Sequence, residues 1–331
     1  MNGASDFDVV VVGAGAAGLA AAGELERAGR SVLCVEARDR PGGRVLTVHD
    51  PLSPIPIELG AEFVHGRPPE LWDIISQASL TACDVAGSAV YFENGTLHDG
   101  KNIYERVYQV MDDLQASASK GRDQSFASFL EQSRYSEDVK RWATAYVEGF
   151  NAARKEIIGI AGLAEDARAA DAIDGDHSFR LVNGYRAVIL HLLRGIHVRL
   201  SSVVERIEWE PGSAAVHIRS VLGDRREVFR ARTVVITVPL GVLQAEPDGN
   251  GAIRFDPEPR DALDAARVLQ VGQVVRVVLR FAQPFWETKA ELSDAGFVFS
   301  QEPHFPTWWT PLPLRRPSSP AGAPDRMRMT S

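Results

Sequence analysis

Residues 9–44, VVVVGAGAAGLAAAGELERAGRSVLCVEARDRPGGR, restrict the fold more than any other part of this chain. A β-branched run, Val9 to Val12, meets Gly13-Ala-Gly15-Ala-Ala-Gly18, and an Ala/Leu-rich helical pattern opens at once. A second strand-like run, Ser31 to Val35, ends on Glu36. Gly13 permits a tight turn out of the strand, Gly15 lets the backbone approach a pyrophosphate, and Gly18 lets the helix pack close to the sheet. The helix N-terminus offers unpaired N–H groups and a positive dipole end to phosphates. Glu36 is placed to accept hydrogen bonds from ribose hydroxyls and would repel a 2′-phosphate, which disfavours NADP. The plainer alternative is a βαβ unit that binds nothing. The strand before, the helix after and the acid in place favour a dinucleotide, without separating NAD from FAD.

At 331 residues the chain can bury a large core, and two domains are the natural expectation. With 45% hydrophobic and 24% charged residues it reads as globular. A net charge of −8 argues against a nucleic-acid partner. Mild acidity would suit a cationic substrate, and solubility accounts for it equally well. Cys34 and Cys83 make no disulfide framework, and Cys34 falls inside an expected buried strand. The opening MNGASDFD lacks the basic and apolar regions of a signal peptide, and no long apolar run follows. No membrane association and a cytoplasmic location are therefore expected. Asn94-Gly-Thr96 reads as a hairpin turn between Val90–Phe92 and Thr96–His98.

A Pro-rich loop, Pro51 to Pro56, follows the opening unit. Apolar residues at spacings of three and four predict helices over 68–82, 101–117, 125–132 and 136–150, with Ile103, Val107, Val110 and Leu114 on one face. Strand patterns return at His197–Leu200, Val203–Glu210, Ala215–Arg219 and Arg225–Phe229. The run Thr233–Val238 reads as a buried parallel strand rejoining the first sheet. A helix over 258–269 and a long strand, Gln273 to Phe281, come next. The stretch 314–331, rich in Pro, Ser, Ala and Arg, reads as a disordered tail.

Arg38-Asp-Arg-Pro-Gly-Gly-Arg44 resembles the extension of flavoproteins in which glycine amides and an arginine meet the pyrophosphate a second time. With Glu58-Leu-Gly-Ala-Glu-Phe-Val-His-Gly66 added, the chain resembles the flavin-containing amine oxidases, which include monoamine oxidases, polyamine oxidases and flavin-dependent histone lysine demethylases. Similar segments are Tyr146–Ala152, Phe179–Tyr185, Val204–Ile207, Val234–Leu243, and Gly272–Phe281 followed by Phe285-Trp286. The resemblance covers roughly residues 7–312. It implies an α/β fold: a Rossmann-type FAD-binding domain (6–85 and 184–255) interleaved with an α+β substrate domain (86–183 and 256–313).

Carried over residue by residue, Gly13, Gly15, Gly18, Glu36, Arg38, Gly43 and Arg44 would hold the ADP half and pyrophosphate of FAD. Gly60 and Ala61 would pass close to the isoalloxazine ring, and Val204 would touch the adenine through its backbone. His65 matches a histidine near the substrate in many relatives; the alternative is a loop histidine with a structural hydrogen bond. Glu62 either attracts a substrate ammonium or is a solvated loop carboxylate.

Two departures stand out. Where the family carries a lysine that binds a water near flavin N5, this chain has Arg276, which keeps the charge and cannot be deprotonated. Family members also continue well past the equivalent of Pro306–Pro313, so a truncated or frameshifted reading frame is expected here, with a real but divergent end as the alternative. The implied reaction passes a hydride from a small-molecule amine to flavin N5. An imine, then an aldehyde or ketone, results, and oxygen leaves as hydrogen peroxide. His65, as the neutral imidazole, would position or deprotonate the amine, with Arg276 as the second catalytic candidate. Two other readings stay open: a flavin-dependent desaturase or other FAD oxidoreductase, and an inactive fragment that retains only dinucleotide binding. Oligomeric state is not legible.

Overall fold

Val9 to Val12 are all buried, as a strand covered on both faces demands. The computed structural model describes residues 6–314 except 54, 122, 248 and 303, so the expected tail beyond Leu314 lies outside the described residues. β1 (Phe7–Val12) pairs in parallel with β2 (Val32–Val35), and α1 (Ala16–Arg27) crosses between them, burying Gly18, Leu19 and Ala22. Val9 and Val11 face α1 and Ile189, while Val10 and Val12 join Leu33, Val204, Val216 and Ile218 on the other face. The result is a Rossmann-type α/β unit.

The seven-stranded sheet runs in the order 198–199, β2, β1, 226–236, 213–220, 202–210, 254–256. The sequence suggests two strands at 225–229 and 233–238. The structure has one, Arg226–Ile236, whose first half pairs antiparallel with Ser213–Ser220 and whose second half pairs parallel with β1. Ala231 belongs to both ladders, opposite Phe7 and Ala214. Thr233 is exposed and Val234 to Ile236 are only partly buried, a correction to the buried strand expected there. The short helix that follows, Leu240–Leu243, buries none of its own residues, so the cover over this end of the sheet is thin.

Three smaller sheets carry the rest: one only pairs Thr47–Val48 with Ile57–Glu58, and two are larger. One of the larger two runs Thr307–Trp309, Ala295–Ser300, Ser88–Glu93, Thr96–Asp99. Its hairpin turns at Asn94 and Gly95, both left-handed (φ +50° and +80°), as a two-residue turn of matching twist requires. The other sets Ser178–Leu181 between Phe63–His65 and Ala82–Asp84, joining segments from both expected domains. Helices Lys101–Ala118, Phe126–Gln132, Glu137–Asn151 and Ile160–Asp171 pack around Val110, Leu114, Phe126 and Val147. Ser125 and Ser136 cap two of them by accepting from the N–H three residues on. The helix expected over 68–82 spans Pro69–Gln77, and Ser79 turns left-handed (φ +53°) before the strand at Ala82.

The strand expected at 273–281 does not form. Residues 269–281 have no regular structure, and Val274 and Val275 are 75% and 79% exposed. Valine favours strands only where a ladder and a face are available, and no described strand pairs with this segment. Among the described residues no helix is long and apolar enough to cross a membrane.

Candidate functional site

The turn after β1 shows why two of its glycines are glycine, and leaves the third unexplained by the protein itself. Gly13 has φ +105°, and a Cβ there would lie 2.9 Å from Thr237 Oγ1. A Cβ on Gly18 would lie 1.8 Å from the Gly13 carbonyl oxygen, closer than any contact allows. A Cβ on Gly15 would meet nothing within 4 Å. Gly15 is also the N-cap of α1, and it offers no side chain to the first-turn N–H groups. Those donors and the open space beside them fit a phosphate.

Glu36 is 8% exposed and holds this turn in place. Its Oε2 accepts from the Ala14 N–H at 2.8 Å and its Oε1 from the Arg38 N–H at 2.9 Å. Each oxygen keeps a lone pair that a ribose hydroxyl can use. The Glu36 carbonyl accepts from Ser202, so the strand Ser202–Glu210 starts beside it. Val204 lies in that strand with its side chain in the core, leaving only its backbone for a ligand.

The second glycine segment lies against the first. A Cβ on Gly43 would be 3.5 Å from the Gly15 Cα, and the Gly42 N–H donates to the Ala14 carbonyl at 2.8 Å. Arg38 Nη1 and Arg40 Nη2 each donate to the Gly43 carbonyl at 3.0 Å, so both clamp the loop. Arg44 is exposed, with no side-chain partner among the described residues. Arg40 was not singled out in the sequence, although it sits inside the RDRPGGR run. Thr237, whose Oγ1 reaches the carbonyls of Val12 and Gly13 at 2.9 and 3.0 Å, carries no local signal at all.

Gly60 continues the groove. A Cβ there would lie 2.0 Å from the Arg44 carbonyl oxygen, and the Ala61 N–H donates to that oxygen at 3.2 Å. Arg276 reaches in from the irregular segment: Nη1 donates to the Gly60 carbonyl at 3.0 Å and Nη2 pairs with Glu62. Arg180 pairs with the other oxygen of Glu62 and donates to the Thr310 carbonyl at 2.9 Å. Trp309 Nε1 adds a third donor to Glu62 at 3.0 Å. The guanidiniums also lie over rings, Arg276 over Trp309 at 5.0 Å and Arg180 over Phe63 at 4.6 Å.

Burial pushes the Arg180 pKa down to about 10, with Arg276 repelling it further; Arg276 is itself lowered by burial. Both stay cationic near neutrality. Glu62 is therefore neither solvated nor free to receive an ammonium, and both expectations for it fail. Arg180 went unnoticed in the sequence. Its one signal is a charge set between Phe179 and Leu181 in the strand Ser178–Leu181.

His65 stands at the end of Phe63–His65, opposite Ser178. Its Nδ1 lies 3.1 Å from Ser178 Oγ, and its ring packs edge-on to Phe150 at 5.7 Å. The residue keeps an exposed edge, yet burial of the ring lowers its pKa and favours the neutral imidazole. His65 does not border the cavity of about 790 Å³ that Glu58, Glu62, Arg180, Arg276 and Trp309 line. The two catalytic candidates thus occupy different surroundings. No group of His, Cys, Asp or Glu suited to a metal occurs among the described residues.

The sequence profile of the flavin containing amine oxidoreductases matches residues 16–328. The chain belongs to that family. The cofactor is accordingly FAD, and the open Gly15, the uncapped α1 and the free lone pairs of Glu36 fit its ADP half. Among the chain's relatives, polyamine oxidase 3 of Oryza sativa subsp. japonica is 30% identical over 306 residues, covering 84% of this chain and 60% of that protein. Lysine-specific histone demethylase 1 homolog 2 of the same organism is 29% identical, covering 86% of this chain and 38% of that one. A putrescine oxidase structure with bound putrescine superposes with a TM-score of 0.70 at 23% identity, covering 89% of this chain and 70% of that chain, and shows the shared fold. The chain therefore spans about 60% of the polyamine oxidase it matches.

Proposed function

We propose that this amine oxidoreductase oxidises a small-molecule amine with FAD. The observation that carries the reading is one unbroken run of contacts. Glu36 holds Ala14, Gly15 lies on Gly43, Arg44 abuts Gly60, and Gly60 accepts from Arg276. That run leads from a ribose-binding acid to a fixed cation through backbone too close for side chains. FAD, whose ADP half Gly13, Gly15, Gly43 and Glu36 would hold, would supply a hydride acceptor and, with oxygen as the final acceptor, the route to hydrogen peroxide. The chain's own residues do the rest. Arg276 fixes a positive charge beside Gly60 and cannot surrender its proton. Proton handling on the amine falls to the neutral His65, whose Nδ1 is held by Ser178 and whose Nε2 has no partner among the described residues. Water then hydrolyses the imine product to a carbonyl compound.

The test is anaerobic. The FAD-loaded protein is mixed with a panel of mono- and polyamines and its flavin absorbance followed. Bleaching by an amine supports the reading. A second reading, a fragment that binds FAD without turnover, is favoured by the unpaired, exposed run 269–281 beside Arg276. A yellow protein that no amine bleaches would select it.

A further inference from the structure

His65 is aimed by what grips its surroundings, the residue that follows it and the strand that faces it. Gly66 is buried and turns left-handed directly after it (φ +64°), and a Cβ there would lie 2.4 Å from the Ile173 carbonyl oxygen. The Gly66 N–H donates to the His177 carbonyl at 2.7 Å, and the Gly66 carbonyl accepts from Trp72 Nε1 at 3.0 Å. Among the described residues that indole is the sole donor to this carbonyl, and a buried acceptor left unpaired is costly.

Trp72 also reaches the facing strand. Its ring meets Phe179 edge-on at 4.9 Å, and the Arg67 guanidinium lies 4.6 Å from both rings. Phe179 directly follows Ser178, whose Oγ lies 3.1 Å from His65 Nδ1. One indole thus holds the residue after His65 and the residue after Ser178, which carry the two ends of that hydrogen bond. The helix Pro69–Gln77 supplies it, anchored in one apolar cluster with Val64, Ile75 and Phe179. The charged groups close by are engaged elsewhere. Arg67 and His177 face Asp174 at 3.7 and 3.9 Å, and Asp176 acts on Tyr108 and Tyr146. The His65 ring itself lies among Phe63, Phe150 and Ser178, so its hydration rather than a neighbouring charge governs its protonation.

We propose that Trp72 is a positioning residue for His65: through Gly66 and Phe179 it fixes the ring so that Ser178 holds Nδ1 and Nε2 stays free for the amine. This rests on the amine-oxidation reading above and adds a residue that acts on the reaction only through His65. A displacement of about 1 Å in such a group slows a reaction by up to about a hundredfold.

The test compares Trp72→Phe with the parent protein, both saturated with FAD. Phenylalanine keeps a ring between Arg67 and Phe179 and removes the Nε1–H. Two readouts are taken: the His65 ring titration by NMR, assigned as the signal that His65→Gln deletes, and anaerobic flavin bleaching by an amine that bleaches the parent. The titration is expected to move up toward the ordinary imidazole value of about 6.5, because a loosened ring takes up water. Bleaching at saturating amine should slow about tenfold or more, with the half-saturating concentration changed less than about threefold. Ile75→Val, a buried change in the same helix that leaves the donor in place, should move neither readout. Phe179→Leu removes the other half of the brace, carries the same expectation as Trp72→Phe, and stands in for it where that variant fails to fold. An unmoved His65 titration with lowered thermal stability marks a structural role only and overturns the proposal, as does an equal shift in Ile75→Val. A shifted titration with unchanged bleaching leaves the brace standing and removes His65 from the amine step. Where no amine bleaches the parent, the oxidation reading fails and the titration alone decides the brace.

Discussion

Glu62 shows how a neighbour changes what a residue can do. As a lone loop carboxylate it could attract an amine; between Arg180 and Arg276, and 9% exposed, it is a counter-ion. Removing one partner of a buried pair leaves the others uncompensated, so Glu62→Gln should destabilise the fold by about 3–5 kcal/mol in urea melts. A change under about 1 kcal/mol would show that the cluster is well hydrated instead. The glycines make a cleaner contrast. Gly18→Ala should cost about 1–3 kcal/mol or more, because its Cβ collides with backbone. Gly15→Ala should fold normally, since its Cβ meets only open space, yet lose FAD on gel filtration. Retention of flavin by Gly15→Ala would remove the phosphate from that spot. For His65, burial lowers the imidazole pKa, so the neutral form persists to lower pH than usual. Activity that needs it is present above that value and lost as pH falls through it. The acid limb of kcat/KM should lie below about 6.5, and His65→Gln should abolish the limb and reduce kcat/KM by roughly a hundredfold or more. An unaltered limb in the variant would assign it to another group.

Among the elements, the run 269–281 is the outlier. It carries Arg276 to Gly60 yet gives its own backbone no described ladder. Few buried contacts and solvent-exposed amides predict opening free energies near zero. Hydrogen exchange should therefore be fast over 269–281 and slow over β1 and the second half of Arg226–Ile236; protection of Val274–Phe281 would reveal a pairing strand. The local pattern foretold a strand here because valines at 274, 275, 277 and 278 satisfy propensity. Propensity cannot supply a partner. The hairpin at Asn94-Gly95 formed as expected because its turn chemistry and both of its strands lie within a dozen residues of each other.

Over the whole molecule, the candidate dinucleotide groove draws on residues more than two hundred positions apart, from Gly13 to Thr237 and from Gly60 to Arg276. A ligand that bridges them should stabilise the fold cooperatively. FAD at about a hundred times its Kd should add about 2.7 kcal/mol and raise Tm, whereas NADP should leave Tm unchanged because Glu36 repels its 2′-phosphate. An equal shift with NADP would contradict the role given to Glu36. By itself the sequence determined the strand–turn–helix–strand opening, the glycine spacing and the acid that closes it. These are short-range facts, fixed by steric limits within about forty residues. Only the tertiary structure decided that Arg226–Ile236 is one strand serving two ladders, that Thr237 braces the glycine turn, and that Arg180 and Arg276 share Glu62. Such pairings follow from which distant segments are brought together, and no local periodicity records that choice.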